Sequence, residues 1–158
     1  MGIIDQETMK LVDAQGKAID SSFIVYGEGW NMMTALSEEK RTTIQNNRQT
    51  PHIGFFNDFF RDTLRGTNQM ESKGYFSGDT YKTNDAMKAI CNLEMFDNIS
   101  QSINYVECHD NATCYDKLQI SNYDENEEVK EKTFTFDVSG SYLVTRCSFL
   151  FIVDKKFF

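Results

Sequence analysis

The 158 residues contain no run of about 18 apolar residues, so no segment is long enough to cross a bilayer as a helix. The start, "MGIIDQETMK", lacks the charged-then-apolar order of a signal peptide, and the expected address is cytoplasmic. Positive charge is scarce as well: 16 Lys and Arg face 24 Asp and Glu, and the few cations gather into no phosphate-facing patch. The net charge of −8 therefore argues against nucleic acid or an anionic membrane as partner and favours a neutral or cationic ligand. Cysteine is limited to Cys91, Cys108, Cys114 and Cys147, without the spacing of a disulfide framework. Cys108 and His109 with Cys114 match zinc spacings poorly, so neither a metal nor a cofactor is expected. One proline, Pro51, and no repeat or low-complexity tract leave no linker at which to cut the chain into domains.

What remains is enough for a core, since 40% of the residues are hydrophobic and 13% aromatic. Ile4, Thr8, Leu11 and Val12 fall on one helical face, with Asp5 as cap and Gly16 as stop. "SFIVYG" is a short β-branched and aromatic run that reads as a buried strand. "LSEEKRTTIQNNRQT" is expected to be polar and solvated, and "HIGFF" beyond Pro51 gives a second strand. "NDFFRDTLRG" predicts a helix with Asn57 or Asp58 as cap and Gly66 as stop. "GYFSGDTYKTND" is turn-rich, "AMKAICNLEMF" is a candidate amphipathic helix, and "SINYVECHD" is a third strand. "NYDENEEVKEK" reads as a solvated charge run. Alternation of strand and helix points to an α/β fold with a parallel sheet, in which functional groups collect at the carboxyl ends of strands.

Two carboxylates occupy such ends, Glu28 in "VYGEGWN" and Asp110 in "INYVECHDN". A retaining glycosidase uses a proton donor and a carboxylate nucleophile about 5 Å apart, with further carboxylates gripping sugar hydroxyls. The donor must hold its proton at working pH, which a strand end beside apolar walls favours. Trp30 offers an apolar face for a sugar ring, or equally a core contact. Position alone leaves a plainer reading open, in which both acids cap loops. A cysteine hydrolase using Cys108 and His109 is disfavoured, because neighbours on a strand point to opposite faces.

In order along the chain, "VYGEGWNM", "NRQTPHIGFFNDFFRDTLRG", "GYFSGD" and "QSINYVECHDNATCYDKL" closely resemble the type I pullulanases of the α-amylase family of glycoside hydrolases. The likeness runs over residues 1–132. It implies part of a (β/α)8 TIM-type barrel, from the helix after strand four through strand seven, too short to close. It also implies retaining hydrolysis of α-1,6 bonds in a branched α-glucan such as pullulan, amylopectin or glycogen. Carried over by motif, Glu28 of "GEGW" corresponds to the general acid/base, and Asp110 of "CHDN" to the carboxylate that stabilises the transition state. His109 corresponds to a sugar-binding histidine, and Trp30 resembles an aromatic contact for the glucan.

The departures from the family are specific. Its nucleophile is the aspartate of "GFRFD", on the strand just before "LMGI", whereas this sequence begins "MGIIDQETM". Neither that motif nor "YNWGYDP" occurs, and Asp5, Asp58 and Asp62 lack the right surroundings to replace it. The chain alone is thus expected to be inactive, its missing partner being the other part of the barrel if a neighbouring reading frame encodes it. The alternative is a non-catalytic remnant that binds glucan weakly or misfolds.

Residues 133–158 do not match the family, which continues into "LSQGIPFLHAGQEF". Val144–Leu150 can be written GTC ACA AGG TGT TCC TTT CTT, which one base along reads Ser-Gln-Gly-Val-Pro-Phe. Residues 151–156 can be written TTC ATT GTG GAC AAG AAN, which two bases along reads His-Cys-Gly-Gln-Glu. The tail is therefore expected to be out of frame, which the codons of the gene decide.

Overall fold

The computed structural model describes residues 1–91 and 95–124; the non-matching tail and most of the charge run lie outside them. The regular elements are α1 (Gln6–Ile19), β1 (Val25–Gly27), β2 (Ile53–Phe56), α2 (Asp58–Leu64), α3 (Thr83–Ile90), β3 (Ser102–Ile103) and α4 (Cys114–Ser121). The chain forms two compact units. One comprises Met1–Phe56 and Met95–Ile103; the other begins at Asn57 and resumes at Asn104.

The first unit holds the sheet, three parallel strands in the order β1-β2-β3. Val25 pairs with Ile53 and Gly27 with Phe55, while Phe55 pairs with Ser102 and Phe56 with Ile103. Among the described residues the sheet is open at both edges, and no helix is long and apolar enough to cross a membrane. The core consists of Met9, Val25, Ile53, Phe55 and Phe96, with Met1, Ile44 and Met95 packed against it. Phe55 and Phe96 stack with ring centroids 6.3 Å apart.

Asp5 caps α1 as expected, its carboxylate accepting from the Thr8 amide at 2.9 Å. Two expectations for this helix fail. It runs past Gly16 to Ile19, because the Asp20 amide closes the last turn on the Gly16 carbonyl. Its buried stripe is Gln6, Met9 and Asp13, while Leu11 is 60% exposed and Ile4 and Val12 are also exposed. Tertiary bonds hold the start of this stripe, where Gln6 donates to the carbonyls of Glu39 and Arg41, while Asp13 pairs with Lys17 one turn along the same helix. Hydrophobicity alone would have chosen the other side.

The segment expected to be solvated is also different. It folds into two short 3₁₀ stretches, Glu38–Lys40 and Ile44–Gln49, and buries Arg41, Thr42, Thr43 and Thr50. Their bonds are made within the unit: Thr42 donates its amide to Ile4 O at 2.9 Å, and the Thr50 hydroxyl donates to Asn47 O at 3.4 Å.

The second unit is built around α2, α3 and α4. Its core joins Phe60 and Leu64 to Phe76, Ala86, Ala89, Val106, Cys114 and Leu118. Asn57 is the cap of α2, its Oδ1 accepting from the Phe60 amide at 2.9 Å. Gly66, at φ +99°, takes the left-handed turn just beyond the helix. The third strand is shorter than expected. Only Ser102 and Ile103 join the sheet, because Asn104 and Tyr105 turn to side-chain partners in this unit: Asn57 donates to Asn104 Oδ1 at 3.2 Å, and Tyr105 engages Arg61.

Candidate active site

The β1 strand ends at Gly27 and releases Glu28 into an irregular loop. Two backbone bonds fix that exit. The Glu28 carbonyl accepts from the Met1 ammonium at 2.7 Å, and the Gly29 carbonyl accepts from the Ile44 amide at 2.9 Å. Gly29 is required by close approach: a Cβ there would sit 2.3 Å from the Phe55 ring. The bend at Gly29 is thus a packing contact with β2, which fixes the backbone beside Glu28. The Glu28 and Trp30 side chains are both half-buried, so the loop presents them at the surface of the first unit.

His109 and Asp110 belong to the second unit, in the stretch between β3 and α4. Glu107 straps this turn by accepting from the Cys114 amide at 2.6 Å, at the N-terminus of α4. Arg65 donates to Ala112 O at 3.1 Å, and Asn111 adopts φ 63° between them. His109 is exposed and Asp110 half-buried. The Cys108 thiol donates to Asp110 Oδ1 at 2.6 Å. This bond, followed by smaller help from Asn111 and His109 against the opposing effect of burial, holds the Asp110 carboxyl below its ordinary pKa.

Sequence reasoning weighed Cys108 as a zinc ligand and as a nucleophile and disfavoured both. Burial, reinforced by the bond to Asp110, instead raises its pKa and keeps the thiol protonated. Its role is to donate a hydrogen bond to a carboxylate. Removing it gives a direct expectation. In Cys108→Ala the Asp110 titration moves up toward the ordinary aspartate value, as read by carboxylate ¹³C NMR. The lowered native pKa contributes stability above the unfolded value and loses it as pH falls through the native one. The variant should therefore be less stable than the native chain at neutral pH, and the difference should vanish as pH falls through the native Asp110 value.

A buried network behind this turn was also missed. Arg61 pairs with Asp58 at 3.1 Å and with Asp62 at 2.7 Å, and its guanidinium lies 5.4 Å from the centre of the Tyr105 ring. The Tyr105 hydroxyl accepts from Arg61 and donates to Asp58. Burial, then the bond to Asp58, drives its pKa far up, so it stays a neutral donor. The acids of "NDFFRD" are thus bound to a buried cation. The available signal was the i, i+3 spacing of Asp58 and Arg61 on a helix.

No family model matches the sequence. The pullulanase of Bacillus subtilis (strain 168) is 33% identical over 138 residues, covering 82% of this chain and 19% of that protein. The pullulanase of Anoxybacillus sp. LM18-11, crystallised with maltotetraose, superposes with a TM-score of 0.79 at 41% identity, covering 84% of this chain and 20% of that one. The type I pullulanase of Bacillus subtilis str. 168, crystallised with maltose, gives 0.78 at 31% identity, covering 87% of this chain and 20% of that one. The small open parallel sheet with its helices is therefore the fold of part of a glycoside hydrolase domain. The chain belongs to the pullulanases, a family of starch-debranching glycoside hydrolases, and spans about a fifth of the length of the relatives it matches.

Proposed function

We propose that the chain carries the proton-donating part of a site that hydrolyses α-1,6 bonds in branched α-glucans with retention. The single observation behind this reading is the 41% identity, over 84% of the chain, to a pullulanase crystallised with maltotetraose. On this reading β1, β2 and β3 are strands five, six and seven of a (β/α)8 barrel, left open within residues 1–132. Glu28 gives its proton to the glycosidic oxygen as the bond to the anomeric carbon breaks, and later takes one from the incoming water. Asp110, kept ionised, stabilises the positive charge that develops on the sugar. His109 grips the sugar, and Trp30 covers its apolar face.

The carboxylate that forms the glycosyl-enzyme bond has no counterpart here, since "GFRFD" is absent from the sequence. Without it the retaining reaction lacks its first covalent step. The full chain incubated with pullulan is therefore expected to release no reducing ends. Release that Glu28→Gln abolishes would refute this. Addition of a segment bearing the nucleophile supplies the partner that the reading requires. A second reading is a cytoplasmic glucan-binding or misfolding-prone remnant with an out-of-frame tail at 133–158. Its expected signature is that adding a segment bearing the nucleophile restores no turnover.

A further inference from the structure

We propose that Arg41 is a positioning residue that presets the loop carrying Trp30 for a sugar ring, a role that rests on the glucan reading above. Residues 28–37 contain no helix or strand, so the loop takes its shape from bonds brought to it. The buried guanidinium of Arg41 donates from all three nitrogens: Nη1 to Asn31 Oδ1 at 2.6 Å, Nη2 to Thr34 O at 3.2 Å and Nε to Leu36 O at 2.7 Å. Glu38 closes the arrangement, its Oε1 lying 3.8 Å from Arg41 Nη1 and accepting from Asn31 Nδ2 at 3.2 Å. Asn31 directly follows Trp30. The loop is therefore held at the residue next to the indole and at two further points.

Arg41 is itself anchored at its root. Its backbone forms an antiparallel bridge with Asp5, and its carbonyl accepts from Gln6 Nε2 at 3.1 Å and from Asn46 Nδ2 at 3.0 Å. Core packing holds the loop at Gly29 but not beyond Trp30, where Met32 and Met33 are exposed. A buried cation directed onto a surface loop orders that loop before any ligand arrives, which removes an entropic cost from binding. Only a planar fork spans three separate acceptors; a lysine ammonium on its single stem does not.

Trp30 is the one tryptophan in the chain, so its fluorescence reports the loop directly. In the full-length chain, Arg41→Gln is expected to shift Trp30 emission and raise its quenching by acrylamide, with the far-UV circular dichroism unchanged. The Kd for maltotetraose, read from the same emission, should rise about tenfold, or about 1.4 kcal/mol. Arg48→Gln, which breaks an exposed pair with Asp97 in the same unit, should leave both readouts unchanged. Where Arg41→Gln fails to fold, Arg41→Lys retains the charge and carries the test with the same expected shifts. Unchanged Trp30 emission and quenching in a folded variant overturns the proposal. If Trp30 responds to Arg41→Gln while the wild-type chain ignores maltotetraose, Arg41 holds the loop and the glucan reading is what fails.

Discussion

Glu28→Gln is expected to lower pullulan hydrolysis by about 10²- to 10⁴-fold, the range that a general acid contributes. The measurement needs a nucleophile, so residues 1–124 are grafted in place of the matching fifth of the Anoxybacillus pullulanase. Glutamine keeps the size and the hydrogen-bonding reach of the side chain but has no proton to give. The loss should therefore depend on the leaving group. A natural glucan leaves as a poor alkoxide and needs the proton, while an activated aryl α-glycoside leaves as a stable phenolate and does not. The bond-breaking step of Glu28→Gln should recover with the aryl substrate. Asp110→Asn should impair both substrates alike, because charge on the sugar develops whichever group departs. Equal losses for Glu28→Gln on the two substrates would remove it from the acid role.

Much of the frame was legible because it rests on local signals. The apolar runs before Gly27 and after Pro51 are short, β-rich and bounded by turn residues, and both became parallel strands. Asn57 and Gly66 marked the ends of α2 because capping chemistry is decided within a few residues of the helix terminus. Features set by distant partners were not legible. The α1 helix buries Gln6 rather than Leu11 because carbonyls more than thirty positions away accept from its amide. A polar run such as "EEKRTT" looks solvated until the acceptors for Arg41 are known.

The site divides in the same way. Glu28 and Asp110 stood out because each follows an apolar run, and the family motifs named them. Nothing in the spacing of Cys108 and Asp110 showed that the thiol would donate to the carboxylate, since that depends on the turn at Asn111. The third strand broke its pattern for a related reason. "SINYV" has the composition of a strand throughout, yet Asn104 and Tyr105 gain more from buried hydrogen bonds than from a longer ladder.

The largest effect on stability is expected at Phe60. It is fully buried among Leu64, Phe76, Ala86, Val106 and Leu118, and truncation to alanine removes a ring that these neighbours cannot replace. Phe→Ala in a packed core costs about 3–5 kcal/mol, from lost transfer energy and the residual cavity together. Whole domains are stable by only about 5–15 kcal/mol, so this one change consumes a large fraction of what is available. Electrostatic changes on the surface are weaker. Breaking the exposed Arg48–Asp97 pair should cost about 1 kcal/mol at most. Urea titrations followed by far-UV circular dichroism provide the comparison. Phe60→Ala should lower the midpoint sharply, and Phe60→Leu should recover much of the loss by refilling the space. Tyr81, 99% exposed, supplies the control for an aromatic side chain that contributes no core. If Phe60→Ala shifts the midpoint no more than Tyr81→Ala, then the cluster around α2 is not the core of the second unit. The turn that carries His109 and Asp110 would then lose its foundation, because Val106 before it and Cys114 after it belong to that cluster.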